Sequence, residues 1–166
     1  SYDANVTNPP YMGSGAMPPQ LKVYTKNQFS DSKADLFAMF IERNLDLGSK
    51  QSLIGMITMQ SWMFLSSFEK LRQKLLEQHT ILSMAHLGAR AFDSIGGEVV
   101  STTAFVIEKA FYPEYKGAYV RLVDGNSEAE KYNSFREAAK NHNCGCLSCA
   151  SAADLMKIPG SPISYW

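Results

Sequence analysis

Apolar positions along the chain change spacing from one stretch to the next. Leu36, Phe37, Phe40, Ile41 and Leu45 recur three and four apart, which places them on one helical face ending near Gly48. Ser32, with Asp35 three residues on, reads as a capping-box start to that helix. Residues 53–59 form a near-continuous apolar run of strand length, the pattern of a strand covered on both faces. A second capping box, Ser66 with Glu69, opens a helix that turns Phe68, Leu71, Leu75 and Leu76 inward and presents Lys70, Arg72 and Lys74 as a solvated row. Residues 81–87 read as another buried strand, and strands are expected over 102–109 and 118–123. A helix over 128–141, capped by Ser127 with Glu130, carries Tyr132, Phe135 and Ala139 on one face. A short strand over residues 4–7 precedes them all, no assignment is made after 143, and no internal repeat is visible.

Strand, helix, strand, helix, strand is the order of a doubly wound α/β sheet. Residues 12–30 contain Gly13, Gly15, Pro18 and Pro19 and read as a long loop, and residues 88–100 as a glycine-marked one. A chain of 166 residues buries one core, and 45% hydrophobic with 19% charged residues is an ordinary globular composition. No apolar run approaches the roughly 20 residues that cross a bilayer, so no membrane partner is expected. Three cysteines, an odd number, point to a reducing cytoplasm. Lys+Arg and Asp+Glu both number 16, so composition lends no support to nucleic-acid binding, and any basic surface for DNA must lie mostly elsewhere.

The sharpest chemistry sits at Asn8-Pro9-Pro10-Tyr11. Two consecutive prolines lock φ and remove two backbone donors, and the residue before each is pushed to extended geometry, so this is a stiff, non-helical corner. It offers a ligand an amide side chain, the free Pro9 carbonyl and a phenol face. An amino group on an aromatic ring is a poor nucleophile because its lone pair is delocalised into the ring. Two acceptors that take hydrogen bonds from both of its N–H groups favour a more tetrahedral nitrogen, and the Asn8 side-chain oxygen and the Pro9 carbonyl are such a pair. Tyr11 is placed to stack on a planar group, a contact worth about 1–3 kcal/mol for a nucleobase.

The corner resembles the catalytic motif of the N6-adenine DNA methyltransferases, (Asn/Asp)-Pro-Pro-(Tyr/Phe/Trp). Residues 35–42 and 53–62 resemble the family's next helix and strand. Residues 86–106 and the terminal Ile-Pro-Gly-Ser-Pro-Ile-Ser-Tyr-Trp resemble the large methyltransferases of restriction-modification and bacteriophage-exclusion (BREX-type) defence. The resemblance implies a partial Rossmann-like class I methyltransferase sheet, mixed because the strand at 102–109 turns antiparallel and slots between its two predecessors. It implies Asn8, Pro9, Pro10 and Tyr11 as catalytic residues, S-adenosylmethionine as cofactor and double-stranded DNA, with its target adenine flipped out, as partner. In the resembling enzymes a glycine-rich turn after a strand cradles the cofactor. Gly13-Ser14-Gly15 follows the proline corner instead, so the chain reads as a fragment whose cofactor-binding strands lie upstream, inactive alone. Residues 1–125 are then the C-terminal half of the catalytic domain, and 126–166 a helix and extension leading toward a target-recognition region. A strand at 4–7 stripped of neighbours has a bare edge, and self-association through it is expected.

Other readings stay open. Protein-glutamine and RNA-guanine methyltransferases share this corner because another planar nitrogen poses the same electronic problem, and a non-catalytic DNA-binding or structural piece is the third possibility. His142, Cys144, Cys146 and Cys149 have the residue types of a zinc site, but structural zinc draws two pairs from separate segments, so reduced cysteines are the default. Arg90, in a loop after a strand, is a candidate phosphate contact, and Trp62 and Trp166 are core or base-stacking residues. His86, in an apolar run, reads as a hydrogen-bonded core histidine.

Overall fold

The computed structural model describes residues 1–92 and 100–166. Six strands, β1 (Tyr2–Thr7), β2 (Gly48–Met59), β3 (Thr80–Gly88), β4 (Thr102–Glu108), β5 (Gly117–Arg121) and β6 (Leu147–Ala150), form one sheet in the order β1-β2-β4-β3-β5-β6. β1 pairs parallel with β2 and β3 with β5, while β4 runs antiparallel between β2 and β3 and β6 runs antiparallel to β5. The mixed sheet expected from the resemblance is therefore present, with its reversed strand in the expected slot. The helices are α1 (Pro19–Gln28), α2 (Leu36–Leu47), α3 (Glu69–Gln78), α4 (Glu128–Lys140) and the short α5 (Ala152–Leu155). The glycine-marked loop expected over 88–100 falls largely outside the described residues.

One face of the sheet carries the main core. Ile54 and Met56 of β2, Met84 of β3, Phe105 and Ile107 of β4 and Tyr119 of β5 pack against Phe37 and Ile41 of α2, Leu71 and Leu75 of α3, and Ile163 of the C-terminal run. A smaller cluster on Val120, Leu122 and Ala138 lies under α4. β2 departs from expectation: its burial alternates, and Leu53 is 42% exposed. Helices α2 and α3 pack on one of its faces, while the cluster under α4 includes no β2 residue, so a doubly apolar run is half covered. β1 is an edge strand, and Val6 on it is 89% exposed.

Three helices differ from the sequence reading. Residues 19–28, expected as loop, form α1 with Pro19 in its first turn. A proline there gives up an N–H that has no intrahelical partner anyway, so Pro19 starts this helix where a loop was expected. In α3 no side chain caps the start, and Ser66 belongs to a preceding 3₁₀ turn. Arg72 of α3, expected in the solvated row, is buried. Its guanidinium donates to the carbonyls of Trp62 (2.9 Å), Leu65 (2.6 Å), Gly160 (2.9 Å) and Ser161 (3.2 Å). It thereby fastens the C-terminal run to α3. On α4, Lys131 and Ala138 are the buried residues, while Tyr132, Phe135 and Ala139 stay exposed, Phe135 bordering an open cavity against Ala85, Phe105 and Val120 of the sheet. Ser127 caps α4 by accepting from the Glu130 N–H at 3.2 Å.

Candidate functional site

β1, β2 and β3 run in the same direction, so their carboxyl ends share one edge of the sheet. In open α/β sheets that edge is where ligands are held. Asn8 leaves the end of β1, Gln60 the end of β2 and Arg90 the end of β3. β1 and β3 stand three strand spacings apart, about 14 Å.

The corner is supported from α2 on both sides. Before it, Thr7 Oγ1 donates to Asn44 Oδ1 at 3.1 Å, Asn5 Nδ2 donates to the Asn44 carbonyl at 3.0 Å, and Asn44 Nδ2 donates to the Phe40 carbonyl at 2.7 Å. After it, the Met12 N–H donates to Asp35 Oδ1 at 3.0 Å, and the Leu36 N–H donates to the Met12 carbonyl at 3.0 Å. Asp35 is also the cap of α2, accepting from the Phe37 N–H at 3.3 Å. Sequence reasoning made Asp35 the partner in a capping box begun by Ser32. Ser32 instead lies buried and donates to Glu42 Oε2 at 2.8 Å. An Asp directly before an apolar helical run was the available signal for the cap, but nothing local announces the bond to Met12.

Asn8 is exposed and Pro9 buried, and no described residue donates a hydrogen bond to the Asn8 side chain or to the Pro9 carbonyl. Tyr11 keeps 36% of its surface exposed, and its ring stands edge-on to the buried Phe37, centroids 6.0 Å apart and planes at 82°. Partial burial raises the Tyr11 hydroxyl above its ordinary pKa, so at neutral pH the side chain is an uncharged aromatic face. The edge therefore presents an amide with free hydrogen-bonding capacity beside a ring held by a buried partner.

The other candidates separate from this corner. Arg90 is exposed, with φ of 57°, and donates to Asn126 Oδ1 at 3.4 Å. Trp62 has no exposed surface: its Nε1 donates to Thr58 Oγ1 at 3.1 Å and its ring packs on Phe105 at 5.1 Å, so it offers DNA no face and belongs to the core. His86 is buried, with Nε2 2.7 Å from Gln60 Oε1 and Nδ1 2.9 Å from the Tyr165 hydroxyl. An amide oxygen only accepts, so Nε2 carries the proton and Nδ1 accepts from Tyr165. Burial, then the positive charges of Arg121 and Lys131, push its pKa down to about 4. Trp166 stacks over it at 6.3 Å. Cys144 and Cys146 bring their sulfurs within 2.8 Å of each other, while Cys149 and His142 are exposed. Among the described residues no group of three or more His, Cys, Asp or Glu side chains is arranged to hold a metal.

Residues 1–92 match the family described as Eco57I restriction-modification methylase. The chain belongs to that family. Over 165 residues it is 47% identical to the adenine-specific methyltransferase PglX of Lacticaseibacillus casei (strain Zhang) and 49% identical to the adenine-specific methyltransferase BrxX of Escherichia coli O9:H4 (strain HS). Those matches cover 99% of this chain but only 14% and 13% of the two relatives, so the chain spans about a seventh of their length. Among solved structures, it resembles the methyltransferase subunit of a type I restriction-modification system from Streptococcus thermophilus, with a TM-score of 0.66 at 14% identity over 99% of this chain and 37% of that one. It also resembles a class I S-adenosylmethionine-dependent methyltransferase from Listeria monocytogenes, with a TM-score of 0.57 at 12% identity over 81% of this chain and 41% of that one. The sheet is accordingly of the class I methyltransferase fold. No described helix is long and apolar enough to cross a membrane.

Proposed function

We propose that this chain carries the target-base side of an adenine-specific DNA methyltransferase of restriction-modification or phage-defence type. The observation that supports it most is the Asn8 amide, without a partner among the described residues, beside the Pro9 carbonyl at the carboxyl edge of β1, in a chain of a methylase family. Asn8 and Pro9 accept hydrogen bonds from the two N–H groups of the adenine N6 amine, which returns its lone pair to nitrogen. Tyr11 stacks on the flipped base, its ring backed by Phe37. No base is needed before transfer, because the amine becomes acidic only once it carries the new methyl.

S-adenosylmethionine, when bound, supplies the electrophilic methyl group. The residues at this corner do not fit as its cradle: Gly13 bridges to Asp35 and Ser14–Ala16 form a 3₁₀ turn, rather than a glycine turn opening a helix after a strand. The cofactor site is expected elsewhere in the full-length protein, in a cytoplasmic setting. DNA contact through Arg90 belongs to the same reading. The chain alone self-associates through the bare β1 edge, where Val6 and Tyr2 are exposed.

In the full-length protein, Asn8→Ala lowers methyl transfer to adenine N6 by about 100-fold or more while S-adenosylmethionine binding by calorimetry is unchanged. Equal turnover in mutant and parent ends the reading. Transfer to a glutamine peptide and not to adenine-containing DNA moves it to another planar nitrogen.

A further inference from the structure

We propose that Asp35, together with Asn44 on the same helix, is a positioning device that sets the angle of the Asn8-Pro9-Pro10-Tyr11 corner; this rests on the function proposed above. The corner cannot hold itself. Its prolines have no N–H to donate, and the groups that meet the substrate must stay unbonded. The hydrogen bonds that fix it therefore act at its two ends, and both ends are tied to α2.

On the entry side the Asn44 side chain receives Thr7 and its carbonyl receives Asn5. On the exit side one carboxylate oxygen, Asp35 Oδ1, accepts from the Met12 N–H and from the Phe37 N–H. The same atom thus starts the helix and anchors the residue directly after Tyr11. Two backbone bonds, Leu36 N–H to the Met12 carbonyl at 3.0 Å and Ser14 N–H to the Ala34 carbonyl at 2.9 Å, continue the tie. Phe37, two residues past the cap, meets the Tyr11 ring. Asp35 and Asn44 lie about 13 Å apart along the helix axis, so the corner is bracketed by two points of one rigid rod. Neither residue touches the base: they act through Thr7 and Met12.

The test uses the full-length protein and steady-state kinetics on adenine-containing DNA. Asp35→Ala lowers kcat about 10- to 100-fold with KM for DNA within about 3-fold, since a displacement near 1 Å at a reacting centre costs about that much. Asp35→Asn, which keeps the Oδ1 acceptor, restores kcat to within about 3-fold of the parent, and Thr7→Val, which removes only the entry-side donor, gives a smaller fall in kcat. Ser127→Ala removes a comparable cap from α4 and leaves kcat unchanged. A parental kcat in folded Asp35→Ala, with only a lowered melting midpoint, overturns the proposal, as does an Asp35→Asn protein as slow as Asp35→Ala. If Asp35→Ala fails to fold, a Thr7→Val protein with parental kcat overturns it. Asn8→Ala is run in parallel: an active Asn8→Ala removes the function beneath the proposal, while an inactive one beside a fully active Asp35→Ala removes the positioning role alone.

Discussion

Two polar constructions occupy the carboxyl edge of this sheet, and they treat their hydrogen-bonding groups in opposite ways. At the corner, the Asn8 side chain is exposed and without a partner among the described residues. Beside the ends of β2 and β3, Gln60, His86 and Tyr165 form a closed chain, and Arg72 gathers four carbonyls to hold the run that carries Tyr165. An exposed group left open costs little because water satisfies it; a buried one left open costs about 1–3 kcal/mol. The corner is thus free to serve a ligand, and the clasp is committed to the fold. Substitutions at the first should register in activity, and at the second in stability.

The sharpest way to break that distinction is Arg72→Met. It orphans several buried carbonyls at once, so thermal or urea unfolding should show a loss of at least about 3 kcal/mol. A loss under 1 kcal/mol would mean that the C-terminal run is held by its apolar contacts alone.

Acid should separate the regions next. His86 is pushed down to about 4 in the folded chain against about 6.5 unfolded, and His79, half-buried beside Lys109 and Lys74, shifts the same way. Protons therefore bind the unfolded chain more tightly. Stability from these neutral imidazoles is complete above about pH 6.5 and drains as pH falls toward 4, by on the order of 3 kcal/mol for the buried His86 and less for the partly exposed His79. His86→Gln should flatten that part of a stability–pH curve; an unchanged slope would assign the effect to His79.

Smaller effects sharpen the picture. Tyr165→Phe removes one donor to His86 and should cost about 1 kcal/mol without altering kcat. Val6→Lys on the open side of β1 should leave stability within about 0.5 kcal/mol and abolish self-association of the chain in sedimentation runs. A parent chain that is monomeric at all concentrations would show that the edge is protected.

Much of this was legible from residue types alone. The proline corner, the faces of α2 and α3 and the central strands follow from local pattern, because each is set by residues adjacent in sequence. What escaped depended on partners far along the chain. The inward turn of Arg72 answers to carbonyls nearly ninety positions away. The outward Tyr132 and Phe135 border open cavities where periodicity anticipates packed core. β6, a four-residue strand, has pairing but no pattern. Asp35 was visible as part of a helix start, yet its bond to Met12 joins two loops that nothing in the sequence links.

The reversed strand has a consequence for how the molecule assembles. β2 and β3 follow one another in sequence but share no hydrogen bonds, since β4, which comes later, fills the space between them. Until residue 108 has left the ribosome, the nascent polypeptide holds two unjoined ribbons, one bearing the proline corner and one bearing His86. β4 joins them, so the proline corner and His86 come to share one sheet only once that later strand is in place.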